Sequence, residues 1–124
     1  MRILVALILL GHGFAHIPGF LVAWRLASLR ELPYRTTVLA NSLNVGEWGI
    51  RVLGALWLIA ALAFAACGMG ALGRASWWLP VAVIAAAVSV DLCILGWPDS
   101  RIGAFVNVGI AVLLLVARQT GSLP

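Results

Sequence analysis

Lysine is absent from the 124 residues, and only four acidic residues accompany the eight arginines. Charged residues make up 10% of the chain, whereas a typical soluble domain carries about 25%. So little charge cannot cover the surface of a water-soluble domain of this length. Because 64% of the residues are hydrophobic, the composition predicts that lipid replaces water around much of the chain.

Clusters of basic residues are missing as well. The arginines occur singly, nearly all beside apolar runs, where cationic side chains lie at lipid headgroups and set topology. No basic cluster with interleaved aromatic residues exists, so we expect the lipid bilayer, and no nucleic acid, as a partner. The arginines are Arg2, Arg25, Arg30, Arg35, Arg51, Arg74, Arg101 and Arg118.

Four apolar segments approach the length of a transmembrane helix, which needs about 20 mostly apolar residues. They cover about residues 3–24, 50–67, 77–96 and 102–117. Five of the six tryptophans fall at the predicted ends, where the amphipathic indole prefers the membrane interface. The chain 1–124 is therefore predicted to be one domain, an all-α transmembrane four-helix bundle.

The first loop is the only long connection, and it has a helical pattern of its own. Leu26, Leu29 and Leu32 recur at helical spacing among charged residues, which predicts a short helix lying in the membrane interface. Pro33 is expected to end this helix, because proline cannot donate the next backbone hydrogen bond.

The four spans predict a multi-pass protein of the cell inner (plasma) membrane. Five arginines on the side of the first and third loops, against three on the other side, favour a cytoplasmic position for those loops. A bundle this small is also compatible with a homo-oligomer, for which Ala85, Ala86 and Ala87 offer a close-packing surface.

Polar side chains inside the predicted spans are the most informative feature of the sequence. His12 and His16 lie four residues apart on one face of the first span, Asp91 lies in the third, and Asn107 in the fourth. Each of His16, Asp91 and Asn107 is about 9–12 Å below the same membrane face, by the helical rise. Polar groups at this depth need a partner or a function.

These polar residues predict acid–base chemistry on a lipophilic small molecule, without a cofactor. A buried carboxylic acid can donate a proton and a nearby imidazole can accept one, as isomerisation, epoxide opening or cyclisation of a terpenoid, sterol or quinone-like substrate requires. The expected catalytic residues are Asp91, His16, His12 and Glu47. The expected substrate-binding residues are Asn107, Trp97, Arg101, Arg51, Asn44 and Trp57.

Purely structural explanations exist for the same residues. Glu47 follows Asn44 at the spacing of a capping box, and it precedes Arg51 by the four residues of a helical ion pair. The two histidines could simply bond to neighbouring helices, and Asp91 could pair with a cation such as Arg101.

Two further functional classes remain open. Two histidines one turn apart with Asp91 could form a metal-binding triad, and either histidine alone could ligate a haem. A non-catalytic membrane subunit, chaperone or small transporter could use the same polar half of the bundle to seat a partner.

Two stretches resemble motifs of a known group of proteins. Residues 11–20, GHGFAHIPGF, and residues 97–103, WPDSRIG, followed by Asn107, are similar to motifs of small bacterial four-helix membrane proteins, broadly DoxX-like in layout. The resemblance implies the four-helix layout and directs attention to the matching residues, but it implies no activity. Those residues are His12, His16, Trp97, Asp99, Arg101 and Asn107.

Overall fold

The first transmembrane span is divided into two helices. The computed structural model describes residues 1–123, in which α1 covers Arg2–Ala15 and α2 covers Ile17–Ala23. His16 separates them, two residues before Pro18, which has no N–H to donate to the carbonyl of Phe14. Together they form a span of 22 residues.

Three longer helices complete the bundle: α3 (Gly46–Leu72), α4 (Trp78–Leu95) and α5 (Arg101–Gln119). Each is long and apolar enough to cross a membrane, so the described chain has four candidate spans. The predicted all-α four-helix fold is confirmed, and these helices indicate a multi-pass membrane protein.

Helix α3 is longer at both ends than the sequence indicated. The predicted end at Cys67 precedes two glycines, but α3 continues through them to Leu72. At Gly68 an added Cβ would lie 2.8 Å from the Leu10 side chain, and at Gly70 it would lie 2.8 Å from Trp78 Cβ. These glycines therefore permit close helix packing and do not terminate the helix.

The predicted interfacial helix in the first loop is absent from residues 25–45. A short antiparallel hairpin with two residues in each strand lies there instead, with β1 (Thr37–Val38) paired to β2 (Leu43–Asn44). The apolar segment before Pro33 is too short to form a stable helix without tertiary packing. Positive φ angles at Leu39, Ala40 and Asn41 then shape the turn of the hairpin.

The helices pack in the series α1, α3, α4, α5, and α2 also packs on α3. Helices α1 and α5, at the two ends of this series, have little backbone contact with each other in the described chain. The apolar core lies toward the α3–α4 loop, where Leu9, Phe64 and Trp78 are fully buried. A groove therefore remains between α1 and α5 on the opposite side, where the first and third loops lie.

Candidate functional site

His16 forms one hydrogen bond at each of its two ring nitrogens. Its Nδ1 lies 2.8 Å from the backbone oxygen of His12, one turn earlier, and its Nε2 bonds the hydroxyl of Ser89 on α4. A carbonyl oxygen only accepts, so Nδ1 carries the hydrogen and Nε2 of the neutral ring accepts from Ser89. His16 is 3% exposed, and no ring nitrogen remains free for a ligand.

His12 bonds to α5 through Asn107. The His12 Nε2 and Asn107 Oδ1 atoms are 2.9 Å apart, and Asn107 is completely buried. The amide orientation is determined by its other end, because Asn107 Nδ2 donates to the backbone oxygen of Gly103 at 2.8 Å. Oδ1 must therefore accept from His12, so the neutral ring carries its hydrogen on Nε2.

The second ring nitrogen of His12 is left without a partner. Among residues 1–123 no hydrogen bond reaches Nδ1. Every buried side-chain nitrogen and oxygen in these residues has a partner, so an atom without a partner is not buried. Nδ1 of this half-buried residue therefore reaches accessible space, where it presents a lone pair. His12 thus offers a hydrogen-bond acceptor that the protein itself does not use.

Aromatic side chains of α3 form the floor beneath the two imidazoles. The Phe64 ring lies edge-on to His12, with centroids 4.8 Å apart, and the Trp57 ring lies 5.2 Å from His16. Gly19 allows this arrangement, because a Cβ there would approach Trp57 Cγ to 2.7 Å. The imidazoles are therefore held on three sides, by α3, α4 and α5.

A cavity of about 690 Å³ follows the groove between α1 and α5 past these histidines. Its volume is within the range of about 300–1,000 Å³ that is typical of small-molecule sites. Its walls are mainly apolar, with His12 and His16 between them and Glu31, Asp99 and Ser100 toward the loops. The apolar wall residues include Leu7, Ile8, Val106 and Ile110.

Asp91 does not belong to this site, so the expected pairing of Asp91 with His16 is wrong. Ser89 faces His16, and Asp91 lies two residues further along α4, about 200° around the helix. Asp91 is exposed and has no ion pair within residues 1–123. The metal-binding triad of Asp91 with the two histidines, which the sequence left open, is not assembled for the same reason.

Glu47 and Asn44 also lie away from the histidines, at the start of α3. The expected capping box and the expected pair with Arg51 are both wrong. Glu47 pairs with Arg25, and both side chains are largely exposed. Asn44 Oδ1 accepts the N–H of Gly46 at 2.9 Å, since the positive φ of Gly46 turns the chain there.

Three other predicted binding residues are exposed near the loops. The guanidinium of Arg51 lies 5.8 and 5.9 Å from the ring centroids of Trp24 and Trp48. Trp97 lines a smaller, adjoining cavity of about 100 Å³ beneath the first loop. Arg101 forms no ion pair in the described chain. None of the three residues lines the cavity that contains His12 and His16.

Of the ten predicted site residues, the structure brings four together. His12, His16, Trp57 and Asn107 meet at one level of the bundle. Residues 1–123 hold no cluster of three or more histidine, cysteine or acidic side chains that suits a metal ion. Haem ligation through His16 would require breaking one of its two hydrogen bonds.

Ser89 and Phe64 both contact the histidines, and neither was predicted from the sequence. Ser89 is a polar residue on a stripe of small buried residues in α4, between Ala85 and Cys93. That spacing was the available signal, because small residues mark the face on which membrane helices approach closely. Phe64 carried no signal, since a phenylalanine is ordinary in an apolar span.

Comparison of the chain with family models, curated proteins and solved structures finds no match. The resemblance of its two motifs to small bacterial membrane proteins therefore stays an expectation.

Proposed function

We propose that the chain binds a lipophilic small molecule with a hydrogen-bond donor, such as an alcohol, in the groove between α1 and α5. The observation that carries the proposal is the accessible Nδ1 of His12, whose acceptor character follows from the bond of Nε2 to Asn107. A donor group on the ligand would complete the hydrogen bonding of the ring. In an apolar groove such a bond fixes the orientation of a ligand.

The walls of the groove support a lipophilic body for this ligand. Side chains from α1 and α5 that line it are mostly aliphatic, and the cavity runs from the level of His12 toward Asp99. Ile102 and Ile110 of α5 both line the groove and are eight residues apart, which corresponds to about 12 Å along a helix. The groove therefore suits an elongated molecule with its donor group beside His12.

Entry from the membrane is consistent with this binding mode. The groove lies between two transmembrane helices that have little backbone contact, so a lipid-dissolved molecule can approach from the side. We further propose the cell inner (plasma) membrane as the location, on the resemblance of the two motifs to bacterial membrane proteins.

If the ligand is also converted, the reaction proposed here is proton transfer at His12. Its free Nδ1 can accept a proton from a bound donor, whereas both nitrogens of His16 are occupied. His16 and Asn107 would then act as positioning residues. Asp91 and Glu47 have no part in this proposal, because neither lines the groove.

Binding is tested with farnesol and its methyl ether on the full chain in lipid nanodiscs, by native mass spectrometry. The ether keeps the lipophilic body and lacks the donor, so we expect it to bind about 2- to 13-fold more weakly, as one lost hydrogen bond of about 0.5–1.5 kcal/mol implies. In His12→Phe this difference should disappear. Equal affinity of the two probes for the wild-type chain would contradict the assignment of His12 as an acceptor.

The location of the site is tested with two glycines. Gly11 lines the groove with open space around its Cβ position, and Gly109 is equally open on the exposed face of α5. Gly11→Phe should abolish binding of both probes, while Gly109→Phe should leave it unchanged. Retained binding in Gly11→Phe would exclude the groove as the site.

A further inference from the structure

The exposed face of α4 carries a carboxyl group within the membrane-spanning region. Helix α4 has 18 residues, so it is about 27 Å long, close to the thickness of the hydrocarbon core of about 30 Å. Asp91 lies four residues before its end at Leu95, about 6 Å inside. An acidic group at that depth is costly unless a partner accepts or donates a hydrogen bond.

No such partner comes from the chain itself. The ion pairs within residues 1–123 join Arg25 to Glu47 and Arg35 to Asp99, and Asp91 is exposed. The groove and its ligand do not reach Asp91 either. Its partner must therefore come from outside this chain or from the headgroup region.

The residues around Asp91 form a regular seam. Exposed side chains of this face follow alternate spacings of four and three residues, the repeat by which left-handed helix pairs interlock. A single polar residue in such a seam fixes the register of the two helices. The members of the seam are Trp77, Val81, Ile84, Val88 and Asp91.

We propose that this seam binds a second copy of the chain, with α4 parallel to α4 and the two Asp91 side chains in contact. A twofold axis along the membrane normal brings identical residues together at identical depth. A protonated carboxyl group has both a donor and an acceptor, so it complements a second copy of itself. The Ala85 and Ala86 side chains do not form this surface, since both are buried within the chain.

Cysteine cross-linking of the full chain in liposomes tests the seam. Val88→Cys should give a disulfide-linked dimer, and Val112→Cys, on the exposed face of α5, should give none. The native Cys67 and Cys93 are buried and serve as the background in both variants. Equal cross-linking at the two positions, or a monomer at both, would overturn the proposal.

The part played by Asp91 is tested in the Val88→Cys background. Asp91→Asn keeps a donor and an acceptor and should preserve the dimer. Asp91→Leu should weaken dimerisation about 5- to 30-fold, since hydrogen bonds between membrane helices contribute about 1–2 kcal/mol in model peptides. Pairing of two aspartates would be refuted if Asp91→Leu dimerised as strongly as the Val88→Cys parent. It would also be refuted if the parent formed a complex only with an added helical peptide that carries a basic side chain.

Discussion

His12 and Asn107 join the first and last transmembrane helices by a hydrogen bond of 2.9 Å between Nε2 and Oδ1. The two helices have little other contact at the backbone level, so this bond spans the floor of an open groove. Asn107 also bonds its own helix at Gly103, which fixes the direction of the amide. The bond therefore has two consequences, for the stability of the bundle and for the free nitrogen of His12.

Replacement of Asn107 by leucine should destabilise the bundle by about 1–3 kcal/mol, because the buried N–H of His12 loses its acceptor. His12→Phe should cost less in the Asn107→Leu background than in the wild-type chain. We expect a coupling free energy of about 0.6–2 kcal/mol from a double-mutant cycle measured by unfolding in mixed micelles. Additive effects would show that the bond contributes no stability.

Replacement of Ser89 by alanine should leave Nε2 of His16 without a donor in a site that excludes water. The expected loss is about 1–3 kcal/mol in the free energy of unfolding. Ser76 is the control, because it is exposed in the connection between α3 and α4, and Ser76→Ala should change stability little. Equal small effects of both variants would contradict a structural role for Ser89.

The four-helix fold was predictable because lipid constrains a chain strongly. Unpaired backbone groups cannot remain in hydrocarbon, so long apolar segments must form helices. The first loop was not predictable in the same way. Leu26 and Leu29 have helical spacing, yet the short segment before Pro33 is not helical. Its conformation is determined by tertiary contacts and by the turn at Leu39.

The depth of the site residues in the membrane was predictable from the sequence, but the direction in which their side chains point was only partly predictable. Helical rise placed His16, Asp91 and Asn107 in the same half of the membrane, and His12 does bond to Asn107. Rotation about a helix axis is harder to infer, because α4 has apolar residues on all sides. Ser89 and Asp91 are only two positions apart along α4, yet Ser89 is buried and Asp91 is exposed.

The ion pair of Glu47 with Arg25 predicts that Glu47 has no part in ligand binding. Both side chains are largely exposed at the loop end of the bundle, and Glu47 does not line the groove. Glu47→Gln should therefore leave the affinity for farnesol within about twofold of the wild-type value, since its surface charge interacts weakly at this distance in physiological salt. Loss of binding in Glu47→Gln with an unchanged fold would show that Glu47 takes part in ligand binding.

Two glycines of α1, Gly11 and Gly13, predict opposite sensitivity to alanine. A Cβ at Gly13 would lie 2.8 Å from the backbone oxygen of Ala61, whereas a Cβ at Gly11 meets nothing within 4 Å. Gly13→Ala should force α1 away from α3 and cost about 1–3 kcal/mol, as overpacking does. Gly11→Ala should be neutral or stabilise by up to about 1 kcal/mol, because alanine favours the helix.

Thermal unfolding of both variants in the same detergent measures this difference, with helix content by circular dichroism as the check on folding. Gly13→Ala should also lower the affinity for farnesol, since displacement of α1 moves His12, whose ring packs edge-on against Phe64 of α3. Gly11→Ala adds one methyl group to a cavity of about 690 Å³ and should bind the alcohol nearly as well as the wild-type chain. Equal stability of the two variants would mean that α1 and α3 do not approach closely at Gly13.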